Sequence, residues 1–220
     1  MKYVYLHGFA SSPRSIKAER LRDRFQSLHL SLEIPDLNQG DFQNLTLTRQ
    51  IRQVRALIDE PVTLIGSSFG GLTAAWIAEG CDFVDRIILL APAFNYLEHW
   101  LPRFDPKELE KWRSGNPLSI YHYGDQRSRF LNYGIVEDLE QYDEAQLQKP
   151  IPTLILHGIR DEIIPIAQSR TFAETRSWVK FIELESDHGL TDQEPEIWQA
   201  MLEFCASPNF PKPITDGDIL

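Results

Sequence analysis

The feature that most constrains this chain is a glycine–serine motif set between a strand-like run and a helix-like run. The motif reads Gly66-Ser67-Ser68-Phe69-Gly70. The run before it, residues 62–65, is short, apolar and bounded by proline and glycine, which is typical of a buried strand. The run after it, residues 72–78, contains good helix formers. A tight turn between them would strain the backbone at Ser68, and the residues two positions away must then lack a side chain.

Strand, sharp turn and helix together are the context in which this motif indicates a nucleophile elbow. The turn would hold the Ser68 hydroxyl above the sheet, beside a helix N-terminus whose dipole favours developing negative charge. We therefore predict that Ser68 is a nucleophile. The alternative is a glycine-rich turn in which this serine only caps the following helix.

Composition limits the classes of protein to consider. The 220 residues, 42% apolar and 25% charged, suit one globular domain with a sizeable core. A formal net charge of −10 argues against nucleic acid or an anionic membrane as partner. No run approaches the ~18 apolar residues of a membrane span, and we identify no signal peptide. Cys81 and Cys205 lie in unrelated segments, so we expect reduced thiols and a cytoplasmic location.

Strand-like and helix-like segments alternate along most of the chain. Besides the elbow strand, β-rich runs at 2–6, 30–34, 86–90, 153–156 and 179–184 predict a total of six strands. Segments between them carry apolar residues at helical spacing. This alternation predicts an α/β fold with a mostly parallel sheet and helices on both faces. We expect the spatial strand order 2-1-3-4-5-6, with functional groups at the carboxyl ends of the strands.

Residues 93–150 interrupt the alternation. They contain no strand-like run, but they are rich in aromatic side chains: Phe94, Tyr96, Trp100, Phe104, Trp112, Tyr121, Tyr123, Phe130 and Tyr133. Asp105-Pro106-Lys107-Glu108 is typical of a helix start. We predict a largely helical lid or pocket wall; the alternative is a small satellite core. The whole chain, 1–220, is expected to form one domain, with 207–220 as an extended tail because of its prolines.

A serine nucleophile needs a base, and the base needs a carboxylate that fixes its tautomer. His188 is the candidate base, because its polar loop follows the last predicted strand and precedes the last helix. The alternative is an ordinary surface histidine. We expect His29 to face solvent, and His99 and His122 lie in the insertion. His7 and His157 lie at strand ends, where we expect structural or oxyanion-loop roles.

Asp161 is the candidate acid, in the turn after the fifth predicted strand. It gives the chain order serine, aspartate, histidine that is expected of an α/β hydrolase. Glu162 is the second choice, and Asp187 is too close to His188 in sequence to orient its ring. A turn-capping aspartate is the alternative interpretation. The neighbouring Arg160 is expected to point away, since it would otherwise compete for the carboxylate.

A tetrahedral intermediate needs two backbone N–H donors. We predict that Phe69, directly after the nucleophile, and Phe9, in the loop after the first strand, supply them. Arg14 is less easily explained, because a cation in a first helical turn opposes the helix dipole. It hints at an acidic substrate group or a nearby carboxylate, although an exposed side chain without a role is the simpler interpretation.

The N-terminal residues resemble the opening of the small bacterial esterases of the YqiA type. The resemblance rests on Tyr5-Leu6-His7-Gly8-Phe9, Ser11-Ser12-Pro13-Arg14-Ser15 and Lys17-Ala18, and on the motif around Ser68. His157, Gly158, Asp161 and Pro165 also match the α/β-hydrolase pattern H-G-x-x-D-x-x-x-P. The resemblance covers residues 1–20, 61–92 and 151–190 and implies esterase activity without metal or cofactor. It also implies a triad of Ser68, Asp161 and His188. The insertion at 94–149 looks larger than in those esterases, so it leaves the substrate open.

From these observations we predict an α/β hydrolase that cleaves carboxylic esters of small apolar acyl or aryl groups through an acyl-Ser68 intermediate. The expected partner is a small-molecule ester rather than nucleic acid or a membrane, with no cofactor or metal. A thioesterase or a peptidase could use the same triad. A binding protein on a hydrolase scaffold is the alternative of another class, although intact catalytic side chains argue against it.

Overall fold

A five-stranded parallel sheet forms the centre of the computed structural model, which describes residues 1–206. In chain order the described strands are β1 Lys2–Leu6, β2 Val62–Ser67, β3 Val84–Leu90, β4 Leu118–His122, β5 Arg127–Leu131, β6 Thr153–Gly158 and β7 Val179–Leu184. The sheet has the spatial order β1-β2-β3-β6-β7, and β4 pairs with β5 as a separate antiparallel hairpin. The predicted parallel sheet is therefore confirmed in five strands.

Helices fill the connections between these strands except the turn between β4 and β5, and one helix follows β7. The described α-helices are α1 Ile16–Ser27, α2 Leu47–Arg55, α3 Phe69–Gly80, α4 Tyr96–Trp100, α5 Pro106–Arg113, α6 Gly134–Leu139, α7 Ile166–Glu174 and α8 Glu194–Ala206. Side-chain caps fix where several of them begin. The Ser15 hydroxyl accepts the Ala18 N–H at the start of α1, and the Asp105 carboxylate accepts the Lys107 N–H at the start of α5.

The prediction of a strand at 30–34 is wrong. Only one residue of this segment, Glu33, pairs with the sheet, as a single parallel bridge to Val4. Its N–H donates to the Tyr3 carbonyl at 2.9 Å, and its carbonyl accepts the Tyr5 N–H at 2.8 Å. Pro35 follows two residues later and has no N–H to continue the ladder. The sheet consequently has five strands with a one-residue extension at the β1 edge.

Successive side chains of the strands lie in two different hydrophobic cores, one on each face of the sheet. On β2, Leu64 packs in one core and Ile65 in the other, because strand residues alternate between the faces of a sheet. Helices α1 and α8 cover the face that contains Ile65, through residues such as Phe25 and Phe204. Helices α2 and α3 cover the opposite face. The predicted placement of helices on both faces is confirmed.

The segment 93–150 contains more than helices. The expectation that it lacks strands is wrong, because β4 and β5 form an antiparallel hairpin in which Leu118 lies opposite Leu131. Polar and exposed residues alternate with buried ones along the hairpin, so the sequence shows no apolar run. Trp112 is buried and its indole Nε1–H donates to the Leu131 carbonyl at 2.8 Å. These side chains are continuous with the core on the α2–α3 face rather than forming a satellite core.

Three other expectations concern regions beyond the sheet. Cys81 and Cys205 are both free, as expected. None of the helices in residues 1–206 combines the length and apolar character that crossing a membrane requires. The predicted tail at 207–220 lies outside the described residues, and the cytoplasmic location stays a prediction.

Candidate active site

Ser68 occupies the sharp turn between β2 and α3. Its backbone has φ 54° and ψ −119°, a conformation that is costly for a residue with a side chain. A Cβ at Gly66 would overlap the Gly70 backbone, and a Cβ at Gly70 would overlap the Leu6 carbonyl. The two glycines of the motif are therefore required by close backbone approach. The serine carbonyl accepts the N–H of Gly71 at 2.8 Å and so begins the helix.

His188 lies in the loop after β7 and contacts both of the other candidate residues. Its Nε2 is 2.9 Å from Ser68 Oγ, and its Nδ1 is 2.7 Å from Asp161 Oδ2. A carboxylate can only accept hydrogen bonds, so Nδ1 carries the proton and donates to Asp161. In the neutral form of the imidazole, Nε2 then carries the lone pair and accepts the serine hydroxyl. This tautomer is the one that can remove a proton from Ser68.

Asp161 is held in place by four donors. Its side chain has 0% exposure. Oδ1 accepts the N–H groups of Ile163 and Ile164, each at 2.8 Å. Burial by itself would raise the pKa of Asp161, but hydrogen bonds from His157 and His188 and from the Ile164 N–H outweigh it and hold this pKa well below its usual range. The carboxylate is therefore ionised near neutral pH.

His157 is a second histidine on the same carboxylate. It is fully buried at the end of β6, and its Nε2 lies 2.9 Å from Asp161 Oδ2 and 3.0 Å from the Ile164 carbonyl. Both of these are acceptors, so Nε2 carries the proton and Nδ1 accepts the Ser169 hydroxyl at 2.8 Å. The sequence predicted a structural or oxyanion-loop role, and the contacts are of the structural kind. The H-G-x-x-D spacing was the signal that could have connected it to Asp161.

The predicted oxyanion donors lie on either side of Ser68. Phe69 is the first residue of α3, and Phe9 follows Gly8 in the loop after β1. A Cβ at Gly8 would lie 3.4 Å from the Ser68 Cβ, so this loop passes directly beside the serine. Within residues 1–206, neither phenylalanine N–H donates to a backbone carbonyl. His7 fixes the loop, because its Nε2 accepts the Leu37 N–H at 3.1 Å.

The other candidates take no part in this network. Asp187 accepts the Gly189 N–H at 2.8 Å and caps its own turn. Glu162 is exposed and meets Arg103 only through its backbone carbonyl. Arg160 points away as predicted, with its guanidinium 3.0 Å from the Glu185 carboxylate.

Two cavities meet at Ser68. The first, which we call the aromatic cavity, has a volume of about 390 Å³ and is lined mainly by apolar and aromatic side chains, including Tyr96, Trp100, Ile120, Tyr121 and Ile164. The second, the hydroxyl-rich cavity, has a volume of about 560 Å³ and is lined by Tyr5, Ser11, Ser12, Ser15, Ser67 and neighbouring residues. Ser68, His188, Phe9 and Tyr123 line both. A substrate bound at the serine could therefore extend in two directions with different chemistry.

Sequence reasoning missed Lys17. Its Nζ donates to the hydroxyl of Ser67, the residue directly before Ser68, at 2.8 Å, and the residue lines the hydroxyl-rich cavity. The same cavity contains Arg14. Lys17 is among the residues that carry the family resemblance, but the sequence assigns it no role, because its contact joins residues 50 positions apart.

Within the part of the chain that the structure describes, no group of three or more His, Cys, Asp or Glu side chains is arranged so that it could hold a metal ion. The site instead presents a hydroxyl, an imidazole and an ionised carboxylate in one hydrogen-bonded series. Such a series can carry out nucleophilic acyl transfer.

Comparison with known proteins identifies relatives in sequence. The family model of UPF0227, described as an uncharacterised protein family, matches residues 2–205. The mouse protein named palmitoyl-protein thioesterase ABHD10, mitochondrial, is 26% identical over 189 residues, which are 78% of this chain. The chain spans 62% of the length of that relative.

Solved structures show the same architecture. The structure of Est1E from Butyrivibrio proteoclasticus with ferulic acid bound has a TM-score of 0.75 at 20% identity, covering 93% of this chain and 89% of that one. The mouse α/β-hydrolase domain-containing protein 10 has a TM-score of 0.74 at 19% identity, covering 92% and 88%. At these identities the likeness establishes the fold, and the predicted α/β-hydrolase fold is confirmed.

Proposed function

Since this chain belongs to the UPF0227 family and has the α/β-hydrolase fold, we propose that it is a serine hydrolase of carboxylic esters. The observation that carries the proposal is the hydrogen-bonded series from Ser68 through His188 to Asp161. In this proposal Ser68 is the nucleophile, His188 the general base and acid, and Asp161 the group that orients the imidazole.

The reaction begins when His188 Nε2 takes the proton of the Ser68 hydroxyl. The serine oxygen adds to the ester carbonyl, and the N–H groups of Phe9 and Phe69 stabilise the oxyanion. The intermediate then collapses, the bond to the alcohol oxygen breaks, and the imidazolium delivers its proton to that oxygen. A water molecule, deprotonated by the same imidazole, then adds to the acyl-serine carbonyl. The bond from the acyl carbon to Ser68 Oγ breaks, the imidazolium returns its proton to that oxygen, and the carboxylic acid leaves.

The surroundings of Asp161 support this role. An imidazolium forms transiently in each half-reaction, and an ionised carboxylate 2.7 Å from His188 Nδ1 would stabilise it. The carboxylate stays ionised because several donors, His157 among them, offset the cost of its burial. It does not need to take up the proton itself.

The aromatic cavity supports an apolar acyl or aryl group. Tyr96 and Trp100 stack with ring centroids 5.0 Å apart, and Phe9 packs 5.2 Å from Trp100, so they form a continuous apolar wall beside Ser68. Moving apolar substrate surface from water onto such a wall is favourable by about 25 cal/mol per Å². We therefore infer that the acyl or aryl group lies in this cavity.

A thioesterase is the second candidate, because the mouse relative is named a palmitoyl-protein thioesterase. The same groups would attack a thioester carbonyl, and a peptidase could also use them. A chain-length series of aryl esters, measured beside acyl-thioesters of the same chain lengths and a peptide panel, separates these activities. The ester proposal expects the highest kcat/KM on the aryl esters.

Fluorophosphonate labelling tests whether Ser68 is an activated nucleophile. The wild type should label, and Ser68→Ala should not. Ser114→Ala is the matched control, because it removes an exposed hydroxyl from the end of α5 and should leave labelling intact. Labelling that persists in Ser68→Ala, or no labelling of the wild type, would contradict the proposal and favour a binding protein on a hydrolase scaffold.

A further inference from the structure

The hydroxyl-rich cavity on the second side of Ser68 carries positive charge. Two cationic side chains, Arg14 and Lys17, line it, and no aspartate or glutamate does. The protein as a whole has a formal net charge of −10, so the local excess of positive charge is opposite in sign to the net charge of the chain. A cationic cavity at the reacting serine requires an explanation beyond the esterase chemistry itself.

Lys17 lines this cavity, and its ammonium contacts Ser67, the residue before Ser68. In residues 1–206 its Nζ makes one hydrogen bond, to the neutral Ser67 hydroxyl, and forms no ion pair. An ammonium has three N–H donors, so two of them are available to a ligand. Burial lowers the pKa of Lys17 to about 8, opposed by the charges of Asp161 and Asp187. The side chain is therefore still mostly charged at pH 7.

Arg14 adds a second cation at the same cavity. Its guanidinium has no hydrogen-bond or ion-pair partner among residues 1–206; only its backbone N–H bonds, to the Ser12 hydroxyl at 3.2 Å. The serine hydroxyls between and beside the two cations can donate to an anion as well. Charge and hydrogen-bond donors together match a phosphate or a carboxylate.

We propose that the hydroxyl-rich cavity binds an anionic group, phosphate or carboxylate, on the alcohol portion of the ester, and that Lys17 and Arg14 hold it. This inference rests on the proposed esterase function and specifies its substrate class. The acyl group occupies the aromatic cavity, which leaves the cationic cavity for the leaving alcohol. The substrate is therefore an ester of an apolar acid with an alcohol that carries negative charge.

Matched aryl butanoates test the assignment. Two probes have an anionic leaving group: 3-(butanoyloxy)benzoate and 3-(butanoyloxy)phenyl phosphate. The neutral probe is 3-(butanoyloxy)-N-methylbenzamide. The cationic probe is 3-(butanoyloxy)-N,N,N-trimethylanilinium. Phenyl hydrogen glutarate places the carboxylate on the acyl side instead. The wild type should prefer the anionic leaving groups over the neutral one by about 10-fold in kcat/KM at low salt, since two charges interact strongly in a partly buried site. The two anionic probes distinguish carboxylate from phosphate.

Variants decide whether these two cations cause the preference. The ratio of kcat/KM for the anionic and neutral probes should fall about 5-fold or more in Lys17→Met and in Arg14→Gln. The probes differ in intrinsic reactivity, but that difference is the same for the wild type and every variant. A change in the ratio from one variant to another therefore reports the substituted side chain. Arg52→Gln is the control, since it removes one positive charge from an exposed position on α2 that does not line the cavity. It should keep the wild-type ratio.

The failures of the two proposals are distinguishable. If the neutral ester is hydrolysed without preference for an anion, or if the preference persists in both cation variants, this inference is overturned while the esterase proposal stands. A Lys17-dependent preference for the glutarate probe would overturn the assignment of the anion to the alcohol side. If Ser68 neither labels nor supports turnover of any probe, both proposals fall. Arg14 is exposed, so Arg14→Gln keeps the test valid if Lys17→Met does not fold.

Discussion

Two regions that border Ser68 differ in how firmly their side chains are held. His188, Asp161 and His157 come from loops or ends of sheet strands and are bound to one another, with the Asp161 side chain at 0% exposure. The β4–β5 hairpin instead presents Tyr121 and Tyr123 at 51% and 73% exposure. The difference teaches that the proposed catalytic groups are fixed by hydrogen bonds to one another, whereas these two hairpin side chains are held mainly by their own backbone.

The largest expected effect comes from the centre of the fixed region. Asp161→Asn keeps the size of the side chain but removes its charge, and its amide can present a donor to His188 and so favour the wrong tautomer. We expect kcat/KM on an aryl ester to fall about 10⁴-fold. Steady-state hydrolysis by the purified variant measures this. A loss under tenfold would show that the carboxylate does not act as proposed.

The same substitution also tests the electrostatics of Asp161 through stability. The pKa of this group is lower in the folded protein than in the unfolded chain, so its ionised form stabilises the fold above about pH 4. That contribution is lost as the pH falls through the folded-state pKa. Urea unfolding from pH 7 down to pH 3 should show the wild type losing free energy of unfolding relative to Asp161→Asn. Asp23→Asn, at an exposed position on α1, controls for the loss of a surface carboxylate.

A smaller effect is expected at His157, which acts through Asp161. His157→Phe keeps an aromatic ring but removes the hydrogen bonds to Asp161 and Ile164. We expect kcat to fall about 10- to 100-fold with KM nearly constant, because the carboxylate is less well positioned. The acidic limb of the pH profile of kcat/KM should also move upward, since Asp161 becomes more basic.

The pH profile separates positioning from a purely structural role at His157. Ser169→Ala removes only the hydrogen bond on the far side of the imidazole and should change kcat less. If His157→Phe lowers thermal stability but leaves both kcat and the pH profile as in the wild type, then His157 only supports the fold. The fixed region would in that case be smaller than proposed.

The smallest effect is expected in the hairpin. Tyr121→Ala removes an exposed ring from the aromatic cavity and should lower kcat/KM for longer acyl chains about 3- to 5-fold, because less apolar surface is covered. Thermal stability should change little, as for most surface substitutions. Phe130→Ala is the matched control, since it lies on the same hairpin at 58% exposure and does not line the cavity. Equal effects of both on chain-length preference would contradict a direct contact of Tyr121 with substrate.

The local sequence pattern was sufficient to predict those parts of the structure that depend on residues close together in the chain. The elbow at Ser68 follows from two glycines and the runs on either side, and the steric conflict at Gly66 is local because it involves Gly70, four positions away. The conflict at Gly70 involves the Leu6 carbonyl at the end of β1, which only the tertiary structure brings close. The segment 30–34 shows the limit of such reasoning. It has strand-like residues, but an edge position and Pro35 leave only Glu33 paired.

The sequence by itself determined the parallel sheet, the turn at Ser68, and which residues follow the strand ends as candidate base and acid. These depend on periodicity, glycine placement and chain order. Only the tertiary structure decided that His157 shares the carboxylate of Asp161, that a hairpin forms part of the cavity wall, and that Lys17 reaches Ser67 across 50 residues of chain. The physical reason is that a hydrogen bond depends on the distance between two atoms, and between residues far apart along the chain only the packing of the whole domain sets that distance.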